Sequence, residues 1–311
     1  MSSNIALQTA IPILLLVGAG LASRRWGLLK SGDERVLSAY IYYFALPALF
    51  LINIAETNLV EEGTLSFVSA GITPVLIVLA IYVSLYFILR FSESNFTLVI
   101  LSTIFGSLAF FGIPFISFAY PDEGEHLATL SAASIALVSV TISISILELR
   151  GTNESMRWKG IKHVMRKLSK NPLIISILIG ILLSLIGLRI PAYVSTPIHT
   201  LGSTTSPVAI FMLGVFLYGR KYTNFGKALK LCLLRMLFLP IIAFLTTTAF
   251  GLPVVERSTL VLMHSMPVAI SMIVLSERYN FHKETIASLV LLSSFSAILY
   301  LNLWLLILNY F

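Results

Sequence analysis

Apolar runs follow one another along this chain, separated by short polar gaps. They lie at 5–23, 34–54, 65–90, 96–120, 127–149, 171–188, 196–219, 228–250, 256–277 and 284–311. Each is close to the ~20 residues that a hydrocarbon core requires. Only a helix or a closed barrel satisfies its own backbone in lipid, so each run is read as a membrane-spanning helix. One gap is long. Residues 150–170 are polar and basic, and Trp158, Ile161, Val164, Met165 and Leu168 recur within it at spacings of about three and four. That spacing fits a helix lying along a membrane surface, and a plain link between two halves fits as well.

Breakers interrupt the pattern. The fourth run contains FGSLAFFGIPFISFAY, with Gly106, Gly112 and Pro114 inside it. Proline has no backbone donor, and its ring clashes with the carbonyl four residues earlier. In hydrocarbon the groups freed in this way need partners inside the protein, so a broken span marks a candidate binding site. The ninth run carries Pro267 in MPVAISMIVL. Five runs precede the long gap and five follow it, so the second half enters the membrane the other way up. The expected fold class is therefore an all-α membrane protein of ten transmembrane helices in two inverted five-helix repeats. Broken crossover helices four and nine would meet near the midplane. The first repeat is expected at 1–149, the linker at 150–170 and the second repeat at 171–311.

Charge gives this arrangement a direction. Arg24, Arg25, Lys30, Arg35, Arg90, Arg150, Arg157, Lys159, Lys162, Arg166, Lys167, Lys170, Arg220, Lys221, Lys227, Lys230, Arg278 and Lys283 fall on one side if ten spans alternate. Arg189 and Arg257 fall on the other, with Glu56, Glu61, Glu62, Asp122, Glu123, Glu125 and Glu256. The excess of Lys and Arg in cytoplasmic loops then places the linker in the cytoplasm and both termini outside, in a multi-pass cell-membrane protein. The first run lacks a basic stretch before it and is followed by Arg24 and Arg25, which reads as a retained span rather than a leader.

Composition narrows the function. Charged residues are 11% of the chain and hydrophobic residues 57%, with a mean hydropathy of +0.93. Soluble domains are about a quarter charged. The formal charge of +7 is too thinly spread for a nucleic-acid surface. The single cysteine, Cys232, cannot form an internal disulfide and is read as packing. No HExxH, CxxC or Gly-Lys-Ser loop appears, and no nucleophile–base arrangement, so neither an enzyme nor a metal site is expected.

The chemistry is expected at the two breaks. Helix N-terminal ends offer free N–H groups and a positive dipole to an anion, and C-terminal ends offer carbonyls to a cation or donor. Gly106, Ser107, Leu108, His264, Met266, Pro267, Val268 and Ala269 are the candidate substrate-binding residues. Gly106, Gly112, Pro114 and Pro267 are the candidate helix breakers. His264 can bind a carboxylate, relay a proton or hold a neighbouring helix. Arg235 either snorkels to the cytoplasmic face or partners an anionic substrate. The serines of the fifth run, including Ser131, Ser134, Ser139, Ser143 and Ser145, suit helix packing or a polar pathway lining.

FGSLAFFGIP resembles the crossover segment of the auxin efflux carrier family, which includes plant auxin carriers and bacterial malonate or malate permeases. MPVAISMIVLSERYNFHKE, KNPLIISILIGILLSLIGLRIP, SPVAIFMLGVFL and YIYYFALPALF are similar to further segments of that family, so the resemblance covers essentially the whole chain. It implies a bile-acid-symporter-like architecture with a scaffold domain, 5–54 with 171–219, and a transport domain, 65–149 with 228–311. It also implies elevator-like movement of a small organic anion such as a mono- or dicarboxylate or an auxin-like acid. No cofactor is implied, and coupling to H+ or Na+ and a homodimer within the lipid both stay open. The family's fourth-span break often carries Asn where Ser107 stands here, and plant members carry Gln where Val268 stands. A ligand sensor with little transport, or a sodium-coupled symporter of the bile-acid type, are the alternative readings.

Overall fold

A computed structural model describes residues 2–57, 59, 63–90, 92–149, 164–166, 168–219 and 223–308. Apart from one isolated two-residue bridge, its regular structure is helical. The helices are α1 (Ser2–Arg25), α2 (Glu34–Glu56), α3 (Thr64–Leu89), α4 (Glu93–Ile104), α5 (Leu108–Ala119) and α6 (Gly124–Leu149) in the first part. The second part contains α7 (Pro172–Leu185), α8 (Ala192–Leu217), α9 (Phe225–Ala249), α10 (Val254–Ser265), α11 (Ser271–Arg278) and α12 (Lys283–Leu308).

The expected ten spans in two inverted repeats of five are not what the structure contains. Among the described residues five helices are long and apolar enough to cross a membrane: α2, α3, α6 through Leu147, α8 and α9. A sixth is added if α12, bent by 49° between Ala297 and Leu299, counts as one span. The discrepancy has a physical cause. A hydropathy window sees an apolar run, not a continuous helix. The fourth run divides into α4 and α5, and the ninth into α10 and α11. α7 has 14 residues. At 1.5 Å per residue such a helix reaches only ~21 Å, short of the ~30 Å hydrocarbon core. The surface-helix reading of the linker falls mostly on 150–163 and 167, which lie outside the described residues.

Among the described residues three π-turns occur within helices, and each stands just before a proline. Ile41–Ala45 precedes Pro47, Leu108–Gly112 precedes Pro114, and Leu234–Phe238 precedes Pro240. The wider turn takes up the missing proline donor and the ring's clash with the preceding turn. The helix therefore continues through each proline.

Packing falls into two groups. α1 lies against α8, and α2 lies against both α7 and α8. At the first crossing Gly20 and Gly214 face each other's backbone. A Cβ on either one would fall on a carbonyl, that of Phe211 for Gly20 and that of Val17 for Gly214. Small residues of this kind let membrane helices approach to backbone contact. In the second group α3, α6, α9 and α10 pack on one another, α5 packs on α6, and α12 lies along α9 and α10. The groups meet where α1 and α8 touch α5, where α2 touches α6 and where α1 touches α12.

Candidate functional site

The two breaks are joined to each other. α4 ends at Ile104, and the chain runs non-helically through Phe105 to Ser107 before α5 begins. α10 ends at Ser265, and Met266 leaves it in an extended conformation, φ −60° and ψ 147°. Gly106 and Val268 then pair as an antiparallel bridge. The Ser107 N–H donates to the Pro267 carbonyl at 2.7 Å, and the Ala269 N–H donates to the Phe105 carbonyl at 3.0 Å.

The remaining backbone groups divide by polarity. At the C-terminal ends of the broken helices the carbonyls of Thr103, Ser265 and Met266 all accept hydrogen bonds from side chains. Arg235, from the π-turn of α9, donates Nε to the Met266 carbonyl at 2.7 Å and Nη1 to the Thr103 carbonyl at 2.5 Å. The Tyr300 hydroxyl of α12 donates to the Ser265 carbonyl at 2.5 Å. The Val268 N–H donates to Ser293 Oγ at 3.2 Å. On the N-terminal ends the balance is reversed. The N–H groups of Leu108, Ala109 and Phe110 at the start of α5, and of Ile270 and Ser271 at the start of α11, have no partner among the described residues. These are the donors that a helix start always leaves open.

Both open ends face one cavity of about 530 Å³. Gly106, Ser107, Leu108 and Ala109 line it from the first break, and Ala269, Ile270 and Ser271 from the second. Phe50 of α2 and Met212 and Phe216 of α8 also line it, as do Ala136 and Ser139 of α6, and Glu34, Arg35 and Asn171 border it. Most of the lining is apolar, with Ser107 and Ser271 at the breaks and Glu34, Arg35, Ser38, Ser139 and Asn171 elsewhere as polar groups. A mostly apolar lining with few polar groups is usual for a small-molecule pocket. The Ser107 hydroxyl does not cap α5. Ser139 Oγ is buried and has no hydrogen-bond partner among the described residues. A second cavity of about 390 Å³ adjoins the first through Glu34, Arg35 and Phe216, and adds Arg24 and Tyr218.

Gly106, Ser107, Leu108 and Ala269 of the candidate residues therefore border the cavity. Met266, Pro267 and Val268 are buried behind it and shape the break through their backbone. His264 is fully buried and does not line the cavity; its Nε2 donates to the Gly71 carbonyl of α3 at 2.8 Å. Of its three readings the geometry supplies a partner for the helix-to-helix hydrogen bond. Gly112 closes the π-turn and packs against α10, where an added Cβ would lie 2.7 Å from Met263 Sδ. Pro114 sits in the first regular turn after it.

Arg235 does not snorkel, being only 1% exposed. A Cβ on Gly106 would fall on the Arg235 guanidinium, so the glycine is what leaves room for it. Nothing in the order of residues linked positions 106 and 235. The only available signal was a charged residue within LCLLRMLFLP, where burial of a cation calls for acceptors nearby. Ser271 was likewise missed, because its place at a helix start depends on where α10 stops.

Among the described residues no group of three or more His, Cys, Asp and Glu side chains gathers as a metal site. Interrupted helices that border a cavity, among long apolar helices, define a multi-pass helical membrane protein. The chain belongs to the membrane transport protein family, whose family model matches residues 5–305. It is 25% identical over 311 residues to the uncharacterized transporter MJ1031 of Methanocaldococcus jannaschii, covering 96% of this chain and 98% of that protein. It is 23% identical over 304 residues to the uncharacterized transporter YfdV of Escherichia coli K12, covering 94% and 95%. A putative malonate transporter of Rhizobium meliloti is 22% identical over 262 residues, covering 83% and 82%.

Proposed function

We propose that this chain is a secondary transporter that carries a small carboxylate through the cavity at the paired breaks. The reading rests on the polarity of that site. Two helix starts with unpaired N–H groups border the cavity, and Ser107, whose hydroxyl does not cap α5, borders it beside them. Open helix N-termini favour anions electrostatically and supply the hydrogen bonds a carboxylate needs. The likeness to a putative malonate transporter supports a small dicarboxylate as the first probe.

The packing supports an elevator-like movement. Residues 5–54 with 171–219 act as the scaffold, and 65–149 with 228–311 as the moving body. The cavity lies between them, with Phe50 and Met212 on the scaffold side and Ser107 and Ala269 on the other. With both termini extracytoplasmic, Glu34, Arg35 and Asn171 stand at the cytoplasmic end, and Arg24 and Arg35 attract the anion to the entrance.

Malonate binding to the purified protein tests the reading. Ser107→Ala is expected to weaken binding about tenfold, the effect of losing one hydrogen bond to a charged group. Equal affinity in the two proteins removes Ser107 from the site. Radiolabelled malonate uptake into proteoliposomes then separates transport from sensing, since a sensor binds without flux above protein-free vesicles.

A further inference from the structure

Unwound carbonyls and helix C-terminal ends are where transporters with broken helices hold a coupling cation. Here the corresponding carbonyls are already engaged. Arg235 donates to Thr103 at the end of α4 and to Met266 at the end of α10, so one guanidinium joins the negative ends of both broken helices. Its fork of donors suits two carbonyls held at a fixed separation. Among the described residues no carboxylate forms an ion pair with it, and its remaining nitrogen, Nη2, has no hydrogen-bond partner.

The charge is also close to the cavity. Gly106 borders the cavity, and the direction in which a side chain would leave its Cα runs into Nη2 and Cζ of Arg235. The guanidinium therefore packs directly against Gly106, a residue that lines the cavity next to Ser107. Within a low-dielectric interior a fixed charge acts across such a distance far more strongly than in water.

We propose that Arg235 is a built-in cation: it takes the place of a coupling sodium ion at the paired breaks and balances the charge of a carboxylate bound on the other side of Gly106. The second half of this statement rests on the carboxylate-transport reading; the first half does not. Sodium then has no vacant carbonyl pair to bind between Thr103 and Met266, so it neither stabilises the protein nor drives uptake through this site. Removing the charge weakens anion binding even where hydrogen-bond donors are kept.

The experiment uses the full chain in detergent, with thermal unfolding and malonate binding as separate readouts. The wild-type protein is expected to unfold at the same temperature in NaCl and in choline chloride of equal ionic strength. Arg235→Lys keeps the charge and Arg235→Gln keeps donors without it. Malonate affinity is expected to fall at least tenfold further in Arg235→Gln than in Arg235→Lys. Arg235→Ala is expected to unfold at lower temperature, and methylguanidinium is expected to raise its midpoint and not that of the wild type. Choline, a cation without N–H donors, is expected to give no rescue. Stabilisation of the wild type by sodium, or equal malonate affinity in the Lys and Gln variants, overturns the proposal. If Arg235→Ala does not yield folded protein, the Lys and Gln pair and the wild-type salt comparison still decide. Wild-type protein that ignores malonate while methylguanidinium rescues Arg235→Ala contradicts the carboxylate reading and leaves the built-in cation supported.

Discussion

Gly106→Ala is expected to remove most of the folded protein. The added methyl would occupy the position of the Arg235 guanidinium, so one of the two must move. Neither can move without loss. Gly106 is held by its bridge to Val268 and by the hydrogen bonds of Phe105 and Ser107 on either side. Arg235 is fixed by the Thr103 and Met266 carbonyls. Overpacking a buried site costs about 1–3 kcal/mol. Displacing the guanidinium adds about 1–3 kcal/mol for each buried polar group left unpaired. A loss of roughly 3 kcal/mol or more is comparable to a large part of a domain's net stability. Size-exclusion profiles and thermal midpoints measure it. The cause is checked by repeating Gly106→Ala in an Arg235→Ala background. There the methyl meets empty space, and the added cost is expected to be much smaller. Equal cost in both backgrounds would show that the two residues do not compete.

Gly214→Val is expected to separate α1 from α8. Even the first carbon of a side chain at 214 would overlap the Val17 carbonyl and lie 2.9 Å from the Leu21 nitrogen. Both are backbone atoms, so no rotamer change relieves the clash, and Gly20 makes the same demand from the other helix. The cost is expected at or above the upper end of the ~1–3 kcal/mol overpacking range. Gly18→Ala on the same helix as Gly20 is the control, since a Cβ there meets nothing within 4 Å. Alanine is a better helix former than glycine by about 1 kcal/mol, so Gly18→Ala is expected to be neutral or mildly stabilising. A similar loss of thermal midpoint in both variants would mean that helix contact at Gly214 is not the cause.

How much of this was legible in the residues depends on the range of the interaction. Helix and membrane were plain from the apolar runs, and Gly106 and Pro267 stood out because breakers are costly inside lipid. Local rules also account for the prolines at 47, 114 and 240, though not for the π-turns that absorb them. The span count failed because hydropathy cannot tell one long helix from two short ones joined by an extended segment. His264 and Arg235 needed the tertiary structure. The histidine's partner, Gly71, is 193 positions away, and the arginine's carbonyl acceptors lie in α4 and beyond α10. A polar residue in an apolar run announces that it must have partners, but not which ones.

Everything proposed for transport turns on a small carboxylate occupying the cavity where the two helix starts converge. Ala136 lines that cavity from α6 and holds none of the proposed ligand contacts, while the chain's one cysteine, Cys232, is buried. The direct measurement is the rate at which a maleimide labels Ala136→Cys in the presence of small mono- and dicarboxylates. Malonate or a close relative is expected to slow labelling in a saturable manner, with chloride at equal ionic strength without effect. Labelling that proceeds at the same rate with every carboxylate in the series would contradict occupation of the cavity.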